Sequence, residues 1–163
     1  MRIEVICTGD EVLTGKIVNT NFSYITQKLE DVGLSVAWET TVGDDRENLL
    51  AAFQLAGSRA DAVIVNGGLG PTCDDLTAAA LANVAGVPLQ ESPDALAHLE
   101  AWCGRRGLAL NAANRKQALL PAGAAIVPNA VGSAVGFRLR HRGCEIVCTP
   151  GVPSELRQML DEE

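Results

Sequence analysis

The chain has 163 residues, 47% of them hydrophobic and 20% charged, with a formal net charge of -7 and 4% aromatic residues. This balance suits one globular domain with a substantial core, spanning residues 1–163, and it argues against a nucleic-acid binder, which needs a basic footprint and usually stacking platforms. No apolar run approaches the roughly 20 residues that span a bilayer, and the N-terminus lacks a signal-peptide pattern, so a cytoplasmic protein with no membrane contact is expected.

Ile3 to Thr8 reads as a first strand, and Gly9 with the acidic pair Asp10-Glu11 follows it. From Asn19 to Gly33 the apolar residues Phe22, Ile25, Leu29 and Val32 recur at helical spacing, with Gly33 as the stop. Leu34 to Val42 alternates as a strand and ends at Gly43-Asp44-Asp45, one of whose acids is placed to cap the helix expected over Glu47 to Arg59. Ala62 to Asn66 is the third strand. It stops at Gly67-Gly68-Leu69-Gly70-Pro71-Thr72, after which Cys73-Asp74-Asp75 leads into an Ala/Leu-rich helix to about Ala85.

Such a strand, glycine loop and helix gather unpaired N–H groups and a positive dipole end, so they can hold phosphate oxygens without a lysine. Asp74 and Asp75 would repel a bare phosphate, which brings in a divalent cation such as Mg²⁺; a plain helix cap is the other role for one of them. Strands alternating with helices predict a three-layer α/β/α fold with a mainly parallel sheet. In that topology the acids at 10–11, 44–45 and 74–75 all follow strands and share one sheet edge, where ligands bind.

Beyond Ala85, Gly86 to Leu89 reads as a turn and Pro93 to Arg106 as a helix, with His98 expected at the surface. Asn114 to Leu119 reads as a short helix and Ala124 to Val127 as a strand. The small residues of Asn129 to Gly136 suit close approach of a ligand or of backbone. Phe137 to Arg140 and Glu145 to Thr149 form a short C-terminal β-hairpin turning at His141-Arg142-Gly143, where His141 is expected to be exposed; Pro150 to Glu155 then enters a last helix. Five scattered cysteines suit reduced thiols, Cys73 alone standing at a helix N-terminus.

Gly9 through Asn21, Val42-Gly43-Asp44, Gly67 through Thr77, Asn114-Arg115-Lys116-Gln117-Ala118 and Pro150-Gly151-Val152-Pro153-Ser154-Glu155 together resemble the MoaB/Mog (molybdenum-cofactor biosynthesis) domain. The resemblance is narrower still to the N-terminal domain of the competence/damage-inducible CinA proteins. It implies a site for an anionic pterin or dinucleotide, self-association into a homo-oligomer, and, for CinA-like members, metal-dependent cleavage of the pyrophosphate of ADP-ribose and similar compounds. It also carries a functional role onto Asp44 and Asp75. CinA proteins usually have lysine where this chain has Cys73, which removes a cation from the loop, and Thr8-Gly9-Asp10-Glu11 is closer to other Mog-type domains. Longer CinA proteins continue into a nicotinamide mononucleotide deamidase domain, an activity not expected of residues 1–163.

The leading expectation is hydrolysis of a nucleoside diphosphate sugar. Gly67 to Thr72 would hold the pyrophosphate, Asp44 and Asp75 a magnesium-like ion, and Glu11 or Asp10 would act as general base. Lys116 or Arg115 would offset phosphate charge, with Asn114 and Gly151 beside the ligand. Molybdopterin or molybdopterin-adenylate binding or transfer is the second expectation, and a non-catalytic ligand-binding module the third.

Overall fold

The computed structural model describes residues 1–162. In chain order the elements are β1 (Ile3–Thr8), α1 (Asp10–Leu13), α2 (Thr20–Asp31), β2 (Val36–Val42), α3 (Arg46–Arg59), β3 (Ala62–Asn66) and α4 (Thr77–Ala85). After these come β4 (Leu89–Glu91), α5 (Pro93–Arg105), α6 (Ala112–Arg115), β5 (Leu119–Pro121), β6 (Ala125–Val127), β7 (Gly136–His141), β8 (Cys144–Thr149) and α7 (Pro153–Glu162).

The main sheet has the order β2-β1-β3-β8-β7-β6. Neighbours from β2 to β8 run parallel, and β7 and β6 are antiparallel to their neighbours. The three-layer α/β/α fold follows from strand alternation. On β1, Val5 and Cys7 face one side, where they pack with Ile25 of α2 and Leu156 of α7, while Ile6 faces the other with Leu49 and Phe53 of α3 and Leu81 of α4. The chain starts at β1, crosses to β2, then returns past β1 to β3, so the strand order reverses beside β1 and opens a crevice at the carboxyl ends of the strands.

Local chemistry sets the boundaries. Asn19 caps α2 by accepting from the Phe22 amide, Asp45 caps α3 through the Asn48 amide, and Ser92 with Pro93 opens α5. Of the two acids expected to cap α3, Asp45 does so, and Asp44 takes no part in that cap.

Several boundaries differ from the sequence reading. Gly86 ends α4 in a left-handed conformation, but Leu89 already belongs to β4, which pairs with β5 in a small antiparallel sheet. The helix expected over Asn114 to Leu119 breaks into α6, a 3-10 turn at Lys116–Ala118, and β5. Pairing of Glu91 with Leu119 draws those residues out of the helix. The C-terminal hairpin is present, yet β8 is an interior strand of the sheet, paired in parallel with β3 along Ala62–Asn66.

Candidate active site

Four strand ends contribute loops to one cavity of about 600 Å³, within the usual size range of small-molecule sites. Of the three acidic pairs expected at this edge, Glu11, Asp44, Asp74 and Asp75 line the cavity while Asp10 and Asp45 do not, and Glu155 of α7 lines it as well. Among the described residues no lysine, arginine or histidine lines it.

The loops after β1 and β2 are locked by a reciprocal exchange. The Asp10 amide donates to Asp44 Oδ2 at 3.2 Å, and the Asp44 amide donates to Asp10 Oδ1 at 3.1 Å. Desolvation pushes the half-buried Asp44 carboxyl above the ordinary carboxylate range, and the charges of Asp10, Glu11 and Asp74 add to the shift. A carboxyl with a raised folded-state pKa favours folding only while protonated, so its contribution is lost as pH rises through that range.

The glycine loop is built to lie against β1. Gly67 and Gly68 have φ of 113° and 69°, and a Cβ on either would stand 2.5 Å from Thr8 Oγ1 or 2.2 Å from Thr77 Oγ1. Only glycine meets both demands. The Gly67 amide donates to the Thr149 carbonyl at 2.9 Å and the Thr72 amide to Asp75 Oδ2 at 2.9 Å. Pro71 has no N–H. Of the stretch expected to cradle phosphate, the amides of Gly68, Leu69 and Gly70 are therefore the ones left without an acceptor among the described residues.

Asp75 is held by the loop it follows: its Oδ2 also accepts from the Thr72 hydroxyl at 2.5 Å. The exposed Asp74 carboxyl is held below the ordinary range by the neighbouring Thr72, with help from the Asp74 backbone and the charge of Lys116. Lys116 does not enter the cavity. Its ammonium lies behind the loop, on the carbonyls of Thr72 and, at 2.8 Å, Asp75. Arg115 is turned away into a two-point pair with Glu91 at 2.6 and 2.9 Å, and Asn114 points toward Cys103 of α5. Gly151 packs its open face against Gly67 and accepts from Asn21 at 2.8 Å.

Other residues shape the site without having been singled out from sequence. Asn66, 4% exposed, accepts from Asn21 and donates to the Pro150 carbonyl at 2.7 Å, joining α2, β3 and the loop after β8. Gln117 links the Leu69 carbonyl to the Ser133 hydroxyl at 3.4 and 3.0 Å. Asn66 ends β3 immediately before the Gly67 block and Gln117 sits within the 114–118 run, which is the signal that marks them. His98 is half-buried rather than at the surface, its Nε2 3.0 Å from the Gly132 carbonyl. His141 is also only half-exposed. Four of the cysteines are buried, and burial pushes the Cys7 thiol up to about 11; Cys73 alone is exposed, at the tip of the glycine loop.

Thr8 Oγ1 is buried without a hydrogen-bond partner, and Thr8 both lines the cavity and underlies Gly67. An unsatisfied buried hydroxyl opposes folding. Thr8→Val, which keeps the shape and removes the polar atom, is expected to raise unfolding stability by about 1 kcal/mol. Denaturant titration with an unchanged m-value checks this, and a loss of stability would show that the hydroxyl is satisfied in solution.

A hard divalent cation can be tested against the acids present. Among the described residues no three His, Cys, Asp or Glu side chains form a ready metal-ligating group. Desolvation is the main cause of the raised Asp44 pKa, and the acid charges that add to it are what a cation would relieve; magnesium is commonly held by one or two carboxylates with ligand phosphates and water completing its shell. Asp44 and Asp75, both on the cavity wall, are the carboxylates such a partial role would draw on.

Comparison with known proteins agrees with this architecture. Residues 4–163 match the family described as probable molybdopterin binding domain. A CinA-like protein of Geotalea daltonii is 47% identical over 99% of this chain and 39% of its own length. One of Colwellia psychrerythraea is 48% identical over 98% of this chain and 37% of its own. The chain thus spans about two fifths of the length of these curated relatives. The crystal structure of CinA from Thermoplasma acidophilum, described as of unknown function, superposes with a TM-score of 0.90 at 34% identity, covering 99% of this chain and 94% of that one. The molybdopterin biosynthesis enzyme MoaB from Thermus thermophilus shares the fold, with a TM-score of 0.65 at 19% identity over 98% of this chain and 87% of its own. No helix among the described residues is long and apolar enough to cross a membrane.

Proposed function

The chain belongs to the probable molybdopterin binding domain family and, within it, to the CinA-like proteins; from that premise we propose that it hydrolyses the diphosphate linkage of an ADP-ribose-type nucleoside diphosphate sugar with the help of a divalent cation. The observation that carries the reading is the meeting, in one cavity, of three amides lacking acceptors with carboxylates that lack basic partners. Amides alone would suit any anion. Acids beside them suit an anion that arrives with its cation.

In this reading the amides of Gly68 to Gly70 hold phosphate oxygens, with Asp75 kept in place by Thr72 and Lys116 at the loop's back. Glu11 is the candidate general base, taking a proton from the attacking water as its oxygen bonds to phosphorus. The bridging P–O bond breaks and the leaving phosphate takes the electron pair, yielding AMP and a sugar phosphate. A divalent cation held by Asp44 and Asp75 supplies charge neutralisation and a more acidic water when bound. Lys116 is a positioning residue here, not a phosphate ligand.

The family description favours a second reading, in which the same cavity binds a molybdopterin-type ligand. Incubating the purified chain with ADP-ribose and either Mg²⁺ or Mn²⁺, then measuring AMP, separates the two. Metal-dependent AMP release is the expected result. Its absence, together with tight pterin binding, would overturn the hydrolase reading in favour of the second.

A further inference from the structure

Glu155 is the acid of the cavity that the proposed chemistry does not use. Asp44 follows β2 while Glu155 follows β8, and these strands are separated by β1 and β3. Glu155 thus stands on the β8 side of the cavity and Asp44 on the β2 side.

Its carboxylate is held firmly. Asn129, 1% exposed, donates to Glu155 Oε2 and to the Ala134 carbonyl, each at 2.8 Å, and accepts from the amides of Val131 and Gly132. Every hydrogen-bonding position of that amide side chain is thus engaged. A Cβ on Gly132 would stand 2.0 Å from Glu155 Oε2, so the absence of a side chain there is what admits the acid. From outside, His98 and Trp102 of α5 bind the carbonyls of Gly132 and Val131, each at 3.0 Å. Oε1 meanwhile has no partner among the described residues, and no basic side chain lines the cavity. The wall offers a rigid, unmatched acceptor.

What can meet it is limited by its neighbours. Gln117 joins the glycine loop to Ser133, the residue after Gly132, so this acceptor lies one short step from the expected phosphate position. A sugar bonded directly to phosphate brings hydroxyls next to the phosphate position. On the same side, the Asn21 contact with Gly151 brings the start of α2 to the loop after β8. Ile17, Val18 and Val152 line the cavity there and are 55%, 79% and 49% exposed, an apolar surface without cover.

Resting on the nucleotide reading of this site, we propose that Glu155 is a specificity-determining residue that accepts hydrogen bonds from the vicinal 2′,3′-diol of the nucleoside ribose, with the base resting against Ile17, Val18 and Val152. A carboxylate accepts from two adjacent hydroxyls without a change in charge, and hydrogen bonds to a charged group discriminate more strongly than neutral ones.

Isothermal titration of the whole chain in Mg²⁺ with ADP, 2′,3′-dideoxyadenosine diphosphate and inorganic pyrophosphate tests the assignment. The wild type should prefer ADP to the dideoxy compound by about tenfold or more. Glu155→Gln, which keeps an oxygen for Asn129, should lose most of that preference while binding pyrophosphate as before; a merely structural Glu155 would leave the preference intact or weaken all three ligands together. The proposal is overturned if ADP does not bind, if the wild type shows no preference, or if Glu155→Gln retains it. Diol preference without AMP release from ADP-ribose would remove the hydrolase reading and keep this one, and AMP release without diol preference would do the reverse.

Discussion

Asp75→Asn is expected to lower metal-dependent AMP release by on the order of 100-fold or more while leaving the fold intact. Asp75 does two things in the structure. Its Oδ2 organises the glycine loop by accepting from the Thr72 amide and hydroxyl, and its carboxylate adds charge to the cavity. Asparagine keeps an oxygen for Thr72 and removes the charge, so it separates these roles. Asp75→Ala removes both and should add a loss of loop order. Thermal unfolding alongside steady-state kinetics distinguishes the cases: a folded Asp75→Asn with full turnover would take Asp75 out of the chemistry and leave it a loop residue.

The largest expected loss of stability lies at the other end of β1. Glu4 is 0% exposed and pairs with Arg59 through two contacts of 2.8 and 2.7 Å, with the Thr40 hydroxyl donating at 2.8 Å. Arg59 also stacks over Trp38, 4.8 Å from the ring centroid. Arg59→Ala strips the buried carboxylate of its cation and is expected to cost about 3 kcal/mol. Replacing both partners, Glu4→Met with Arg59→Met, should recover a good part of that, because a buried pair is far more damaging when half removed than when exchanged for apolar volume. Denaturant midpoints of the three variants check it. A loss below about 1 kcal/mol in Arg59→Ala would mean that water or another donor replaces the guanidinium on Glu4. Specific activity per folded molecule should not change, since Glu4 lies four residues from Thr8 along the strand and away from the cavity.

Much of the site was legible because it is encoded locally. Gly67 to Gly70 announce a backbone conformation and a close approach that other residues resist, and the acids after β1, β2 and β3 are placed by strand direction alone. The 114–118 run was legible as a block but not in its geometry. Pairing of β5 with β4 turns it so that Lys116 clamps the loop's carbonyls, Arg115 meets Glu91, and Gln117 alone of the run lines the cavity. A helical pattern cannot foretell which face a distant strand will claim.

From its sequence alone this protein is a three-layer α/β domain with a glycine-rich loop and acids at one sheet edge, because side-chain periodicity, caps and glycines act within a few residues of themselves. Only the tertiary structure decided which loop amides are left without acceptors, that Glu4 pairs with Arg59, that Thr8 is buried unmatched, and that Glu155 faces the cavity from the β8 side. Each of those depends on groups brought together from distant parts of the chain, where interstrand order and side-chain packing, rather than local preference, choose the partner.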